Sequence, residues 1–286
     1  MASTGPYHNE TIAIATMHAK ERAIAKPFRQ RLGAVITVAS GIDTDTFGTF
    51  TGEVSRQGSM LDAARAKAQA AIEATGLPFG IGSEGSFGPH PSLPFVAAGR
   101  ELLLFSDRRH GFEIHETMVT HRTNYQSREC RPGDDLRDFL AGVGFPSHAV
   151  AVAPAGVTGS RELAKGISSA AELAKAIQHA SGMSRGGLAL VVADMRAHVN
   201  PTRMAAIRAL SVRLADRLAT RCPGCGVPGF GATSIIGGLP CAWCGEPTQL
   251  AALELKRCSR CGFEQQIKME RSPQTADPGQ CEHCNP

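Results

Sequence analysis

No apolar run in the chain approaches 18 residues, which excludes a membrane-spanning helix. The start, MASTGPYHNETIAIATMHAKERAIAK, lacks the basic, apolar and small-residue order of a secretory signal, so a soluble, cytoplasmic protein is expected. There is little excess charge either: 30 Lys and Arg face 26 Asp and Glu, a net +4 that is spread thinly and announces no nucleic-acid partner. Internal repeats and low-complexity segments are missing from the body of the chain. What remains is a sequence of 286 residues, 42% hydrophobic and 20% charged, which can bury a core as one large domain or two smaller ones. Disorder, collagen and coiled coil are excluded.

Cysteine is distributed unevenly. Eight of the nine cysteines fall after residue 221, and Cys130 stands alone. In a reducing compartment this clustering points to metal rather than disulfides. Cys222-x-x-Cys225 and Cys241-x-x-Cys244 are 15 residues apart, and Cys258-x-x-Cys261 and Cys281-x-x-Cys284 are 19 apart. Each CxxC lets two thiolates converge on one ion, and an intervening hairpin returns a second pair, so two structural zinc sites of four cysteines are expected. Four thiolates leave no open position for catalysis. Sequential pairing is the simplest arrangement, and a cross-braced one uses the same eight ligands. The tail from Arg221 is neutral before metal, and each zinc held by four thiolates carries −2. Contact with a protein is therefore a better expectation for this module than contact with nucleic acid.

Before the tail, strands and helices alternate. Strands are expected at Thr11–Thr16, Ala34–Ala39, Phe79–Gly82, Ala149–Ala153 and Leu188–Ala193, with a hairpin of Glu101–Ser106 and Phe112–Val119. Helices are expected at Lys20–Leu32, at Ser59–Thr75 between an N-cap serine and Gly76, at Asp134–Ala141, after the Ser169-x-x-Glu172 capping box, and from Asn200-Pro201. The whole reads as an α/β body over residues 1–220, with a mixed sheet and flanking helices, followed by a double zinc-ribbon module over 221–286. In the last body helix Ile207, Leu210, Leu214 and Leu218 form one buried stripe. Arg203, Arg208, Arg213, Arg217 and Arg221 read as its solvated basic face.

Two constellations could carry chemistry. Gly80-x-Gly82-x-x-Gly85 matches the dinucleotide fingerprint formally, but the Gly-Pro-His-Pro that follows cannot open a helix, so that reading fails. Asp43, Asp45, Glu53 and Glu84 are carboxylates in glycine-rich loops beside strands, where Mg²⁺ could be held together with substrate phosphates. If the strand runs on past Ala193, Asp194, Arg196 and His198 alternate onto one face beside a helix N-terminus and Arg203, forming an anion site. A salt-bridge network is the plainer alternative.

Residues Ala15-Thr16-x-His18-x-Lys20, Ala64-Arg-Ala-Lys67-Ala68 and ATGLPFGIGSEGSFG resemble the inosine/xanthosine triphosphate pyrophosphatase fold family over about residues 11–90. His18 stands where that family has Asn, and Ser83-Glu84 replaces its paired Asp. The resemblance implies phosphate contacts from Lys20 and Lys67, with Glu84 as the Mg²⁺-binding acid. Over nearly all its length, through FGTFTGEV, SEGSFGPHP, DMRAHVNPTRM and the cysteine pairs, the chain also resembles a bacterial domain-of-unknown-function family, which implies no activity.

The functional expectation is a Mg²⁺-dependent phosphohydrolase acting on a nucleotide or similar phosphorylated small molecule. Glu84, Asp43, Asp45 and Lys20 would be catalytic; Lys20, Lys67, Ser86, Asp194, Arg196, His198 and Arg203 would hold substrate. The alternative is a non-catalytic adaptor whose zinc ribbons contact another macromolecule.

Overall fold

The computed structural model describes residues 5–47, 58–90, 92–156, 164–269 and 273–286. GTFTGEV with Glu53, and the side chain of Asp45, lie outside the described residues. The chain forms two compact units. One comprises Met1–Arg109 and Glu113–Ala215, the other His110–Phe112 and Asp216–Pro286.

The first unit contains two sheets. Its N-terminal sheet runs β2-β1-β3-β4-β5, built from β1 (Thr11–Ile14), β2 (Val35–Val38), β3 (Phe79–Pro89), β4 (Ala97–Asp107) and β5 (Phe112–Thr120). β1 is parallel to both β2 and β3, whereas β3 and β4 form an antiparallel hairpin. The helices α1 (Glu21–Leu32) and α2 (Met60–Thr75) make the crossovers. Because β1 leads to β2 on one side and the chain returns to β3 on the other, the strand order reverses at the carboxyl end of β1. That crevice is where open α/β sheets receive ligands.

Local chemistry accounts for α2 at both ends. Ser59 and Asp62 form a reciprocal capping box, and Gly76 closes the helix at φ +68°. Its alanines allow close packing on β3, which explains the glycine fingerprint. A Cβ on Gly82 would lie 1.7 Å from the Ala64 carbonyl oxygen, and one on Gly80 would lie 2.5 Å from that of Ala68. The motif is helix-to-strand packing inside β3. That strand is 11 residues long, well beyond the expected Phe79–Gly82, because β4 pairs with it throughout.

The second sheet runs β6-β9-β7-β8, with β6 (Ser127–Cys130), β7 (Val150–Pro154), β8 (Ala164–Ile167) and β9 (Ala189–Ala193), all antiparallel. α3 (Arg137–Val143) and α4 (Ala170–Met183) accompany it, and Val150, Val152, Val191, Leu173 and Ile177 share its core. α3 starts three residues later than expected. Asp134 accepts the Arg131 amide at 2.8 Å and Asp135 the Arg137 amide at 3.0 Å, so both acids sit in turns. α5 (Pro201–Ala219) begins after Asn200, whose side-chain oxygen accepts the Arg203 amide at 3.0 Å. Ile207, Leu210, Leu214 and Leu218 are all fully buried, as their spacing requires.

β9 ends at Ala193, so Asp194, Arg196 and His198 do not alternate along a strand. Asp194 turns back to accept the Arg196 amide at 3.0 Å, and Ala197–Val199 is a 3-10 turn.

The second unit contains the antiparallel sheet β10-β11-β12, formed by β10 (Gly231–Gly237), β11 (Ala251–Arg257) and β12 (Glu264–Lys268). Cys222, Phe230 and Cys258 make its small buried cluster. Among the described residues no helix is long and apolar enough to cross a membrane.

Candidate functional site

Five charged side chains are buried together at the carboxyl end of β1. The turn after β1 is tightened by Thr16, whose hydroxyl accepts the amides of His18 at 3.3 Å and Lys20 at 3.5 Å, and by Ala19 at φ +53°. It delivers Lys20 to the stretch of β3 that has run past the end of β1. There the Lys20 ammonium donates to the Ser83 carbonyl oxygen at 3.0 Å, taking the place of a ladder partner.

Side chains alternate along β3, so its two faces present different partners. Glu84 shares the α2 face with Gly80 and Gly82 and forms an ion pair with Lys67. On the opposite face Arg203, from the first turn of α5, bonds Glu101 of β4 at 2.7 Å and donates to the Met195 carbonyl. Gly85 leaves room there, because a Cβ would lie 2.3 Å from the Arg203 guanidinium and displace it. Phe87 lies under Arg203, 5.0 Å from guanidinium carbon to ring centre. Exposures are 7% for Lys20, 6% for Lys67, 4% for Glu84, 1% for Glu101 and 7% for Arg203. Three cations against two carboxylates leave this buried group with one surplus positive charge.

Burial and the surplus charge both act on the titration of the site. Burial, then the neighbouring Arg203 and Lys67, brings the Lys20 ammonium down to about 7, against the opposing pull of Glu101 and Glu84. His18 stacks on His198 with ring centres 5.2 Å apart. Burial, then Lys20, His198 and Arg196, lowers His18 to about 4, so the ring is neutral. His198 is lowered as well, by burial and Arg196. Asp194 is closed into an ion pair with Arg196 at 2.6 Å and also accepts the Gly166 amide at 3.0 Å. Burial opposes its ionisation, but the bonds from Arg196 outweigh that and hold its carboxyl below the ordinary range.

Lys20, Lys67, Glu84 and Arg203 thus come together, and His18 and His198 adjoin them. Ser86 lies further along β3, half-buried opposite Arg100, and among the described residues makes no polar contact with the cluster. Asp43 is exposed in the turn before the 3-10 segment Thr44–Phe47. That segment lies over the site, since the Thr44 amide meets the Met17 sulfur at 3.2 Å and the Phe47 ring lies 6.0 Å from the Lys67 ammonium. Among the described residues the carboxylates assemble no Mg²⁺ site: Glu84 is engaged by Lys67 and Asp43 is exposed. Among the described residues, only the cysteines bring three or more metal-ligating groups together.

Sequence reasoning missed Glu101. Its signal is an acid inside the apolar strand Glu101-Leu-Leu-Leu-Phe105, affordable only with a buried partner. Arg203, placed by its helix pattern on a solvated face and by its position after Asp194 in an anion site, is that partner. Arg213 is engaged too, with Glu116 at 2.9 Å.

The cysteines form two quartets, Cys222/Cys225/Cys258/Cys261 and Cys241/Cys244/Cys281/Cys284. The knuckles are interleaved, first with third and second with fourth, so the simpler sequential pairing is corrected. The hairpin explains why. Pairing of Gly231 with Arg257 at one end of β10-β11 brings the first and third knuckles together. The chain between Gly237 and Ala251, at the other end, carries the second. The fourth reaches it after β12 through the bridge of Cys241 with Ala276. Seven-residue strands at ~3.4 Å per residue set the quartets about 20 Å apart.

Sulfur separations test the fit to zinc. A tetrahedron with ~2.3 Å arms has edges of about 3.8 Å. The distances are 3.7 Å for Cys222–Cys261 and Cys225–Cys258, 3.8 Å for Cys241–Cys284 and 3.7 Å for Cys244–Cys281. These are too long for disulfides and right for four ligands around one zinc. Amides of Gly224 and Trp243 donate to Cys222 and Cys241 at 3.3 and 3.4 Å, stabilising thiolate. The amides at Cys244 and Trp243 lower Cys241, and those at Cys261 and Arg260 lower Cys258 against its burial, while the neighbouring thiols Cys244, Cys261 and Cys284 are raised, so in each quartet a thiolate forms at the expense of its partners. Either quartet can therefore hold a zinc ion.

No curated protein and no solved structure matches the chain, so nothing in these comparisons supports the pyrophosphatase-like resemblance. Residues 67–286 match a family described as a domain of unknown function, DUF6671; they take in Lys67, Glu84, Glu101, Arg203 and all eight knuckle cysteines, and the chain belongs to that family.

Proposed function

We propose that the first unit binds a phosphorylated small molecule of the nucleotide class at the Lys20, Lys67 and Arg203 cluster and hydrolyses its phosphate, while the second unit is braced by two structural zinc ions. One observation carries the reading. Three buried cations against two carboxylates meet at the reversal of strand order, where a surplus charge is costly unless an anion joins it. Arg196 and the stacked His18 and His198 extend the same rim. Since Glu84 is held by Lys67, Mg²⁺ would arrive bound to the substrate's phosphates rather than in a carboxylate cage.

Phosphate release from a panel of nucleoside mono-, di- and triphosphates, assayed with and without Mg²⁺, tests the catalytic half. Turnover of at least one compound, abolished by Lys67→Met, is expected. Binding without turnover leaves a phosphate-binding protein, and neither binding nor turnover removes the proposal.

A second reading concerns the metal module. Trp243, between Cys241 and Cys244, is 80% exposed, which suits contact with another protein. As the chain's one tryptophan, its fluorescence would report that contact directly.

A further inference from the structure

The three cations of the cluster are not equivalent. Lys67 has Glu84 and Arg203 has Glu101, but the partner of the Lys20 ammonium among the described residues is a neutral carbonyl, that of Ser83. The same residue holds a second anomaly. The Ser83 hydroxyl is buried, with Ser83 only 2% exposed, and among the described residues it has no hydrogen-bond partner. A buried hydroxyl without a partner is rare, because it has lost its water without gaining a protein acceptor. Alternation places the Ser83 side chain on the Gly85 face of β3, where Glu101 and Arg203 lie.

We propose that Ser83 and Lys20 form an oxyanion subsite, the serine O–H and the lysine ammonium both donating to one negatively charged oxygen of the ligand, with Lys67 and Arg203 acting as positioning residues already neutralised by their own carboxylates. This rests on the phosphate-binding reading and deepens it by naming the donors. A phosphate oxygen supplies what each lacks: an acceptor for the hydroxyl and a counter-charge for the ammonium.

The groups facing Lys20 are the Ser83 carbonyl, Arg203, Lys67, Glu101, Glu84 and the neutral His18. Burial, then Arg203 and Lys67, disfavours its ammonium form, and an anion beside it favours that form.

Calorimetric titration of the full chain with inorganic pyrophosphate at pH 7.5, repeated on Ser83→Ala, tests the subsite. Removing an unpartnered hydroxyl leaves the melting temperature unchanged or raised, whereas removing a ligand donor weakens binding about tenfold or more. That split supports the proposal. Equal affinity in Ser83→Ala, or a fall in stability matching the fall in affinity, overturns it. If pyrophosphate does not bind, the subsite is refuted, and the phosphate-binding reading falls with it only if the nucleotide panel also fails to bind.

Discussion

Glu101→Gln isolates the electrostatic logic of the cluster. The substitution keeps the side chain's size and removes its charge. Arg203, 7% exposed and bonded to Glu101 at 2.7 Å, is left with a neutral partner in a group that already carries excess positive charge. Removing one member of a buried pair costs ~3–5 kcal/mol because the other charge stays desolvated. In a unit of about 200 residues, where 1 kcal/mol moves the midpoint by about 2–4 °C, the melting temperature should fall by roughly 6–20 °C. Differential scanning calorimetry at pH 7 reads this, with Glu101→Leu/Arg203→Met as control. Replacing both partners by apolar groups removes the stranded charge and should recover most of the loss. A drop below about 2 °C in Glu101→Gln, or a double variant no more stable than the single one, refutes the claim that the pair is a desolvated ion pair within a surplus of positive charge.

Three further outcomes follow. Gly82→Ala forces a Cβ to within 1.7 Å of the Ala64 carbonyl oxygen, so α2 must lift from β3, and urea unfolding should show a loss of several kcal/mol. Metal analysis should find two zinc ions per chain; Cys222→Ser/Cys258→Ser should still hold one, whereas Cys222→Ser/Cys241→Ser should lose both. Lys20 is lowered to about 7 from 10.5, so the unfolded chain binds more protons between those values and the penalty for burying it fades as pH rises through that window. Lys20→Met should therefore melt above the wild type at pH 6, with an advantage that shrinks toward pH 10.

The elements most legible in the sequence were those with local determinants. The reciprocal Ser59–Asp62 cap, the Asn200-Pro201 start and the four-residue stripe of α5 each encode their outcome within one turn of chain. The edge strands β6 and β8 were not legible, because side chains on an exposed edge need not alternate. The length of β3 depends on its pairing with β4 along the whole strand, from Phe79↔Asp107 to Pro89↔Ala97, which no pattern within β3 announces. For the site, the lysines and Glu84 could be named from short motifs. The ion pair that tethers Glu84, the Arg203–Glu101 pair spanning 102 positions and the unpartnered Ser83 hydroxyl are products of packing. Knuckle spacing named all eight cysteines but could not choose their pairing, which is set by the register of β10 on β11.

The claim that the first unit is an anion site centred on Lys20 meets its most direct test in equilibrium binding. Wild type and Lys20→Met should be titrated with the same nucleotide panel at pH 7, with fold verified by melting. The account predicts that at least one nucleotide binds the wild type with one site per chain and binds Lys20→Met at least tenfold more weakly. Equal affinity in the two proteins, or no binding of any nucleotide to the wild type, would contradict it.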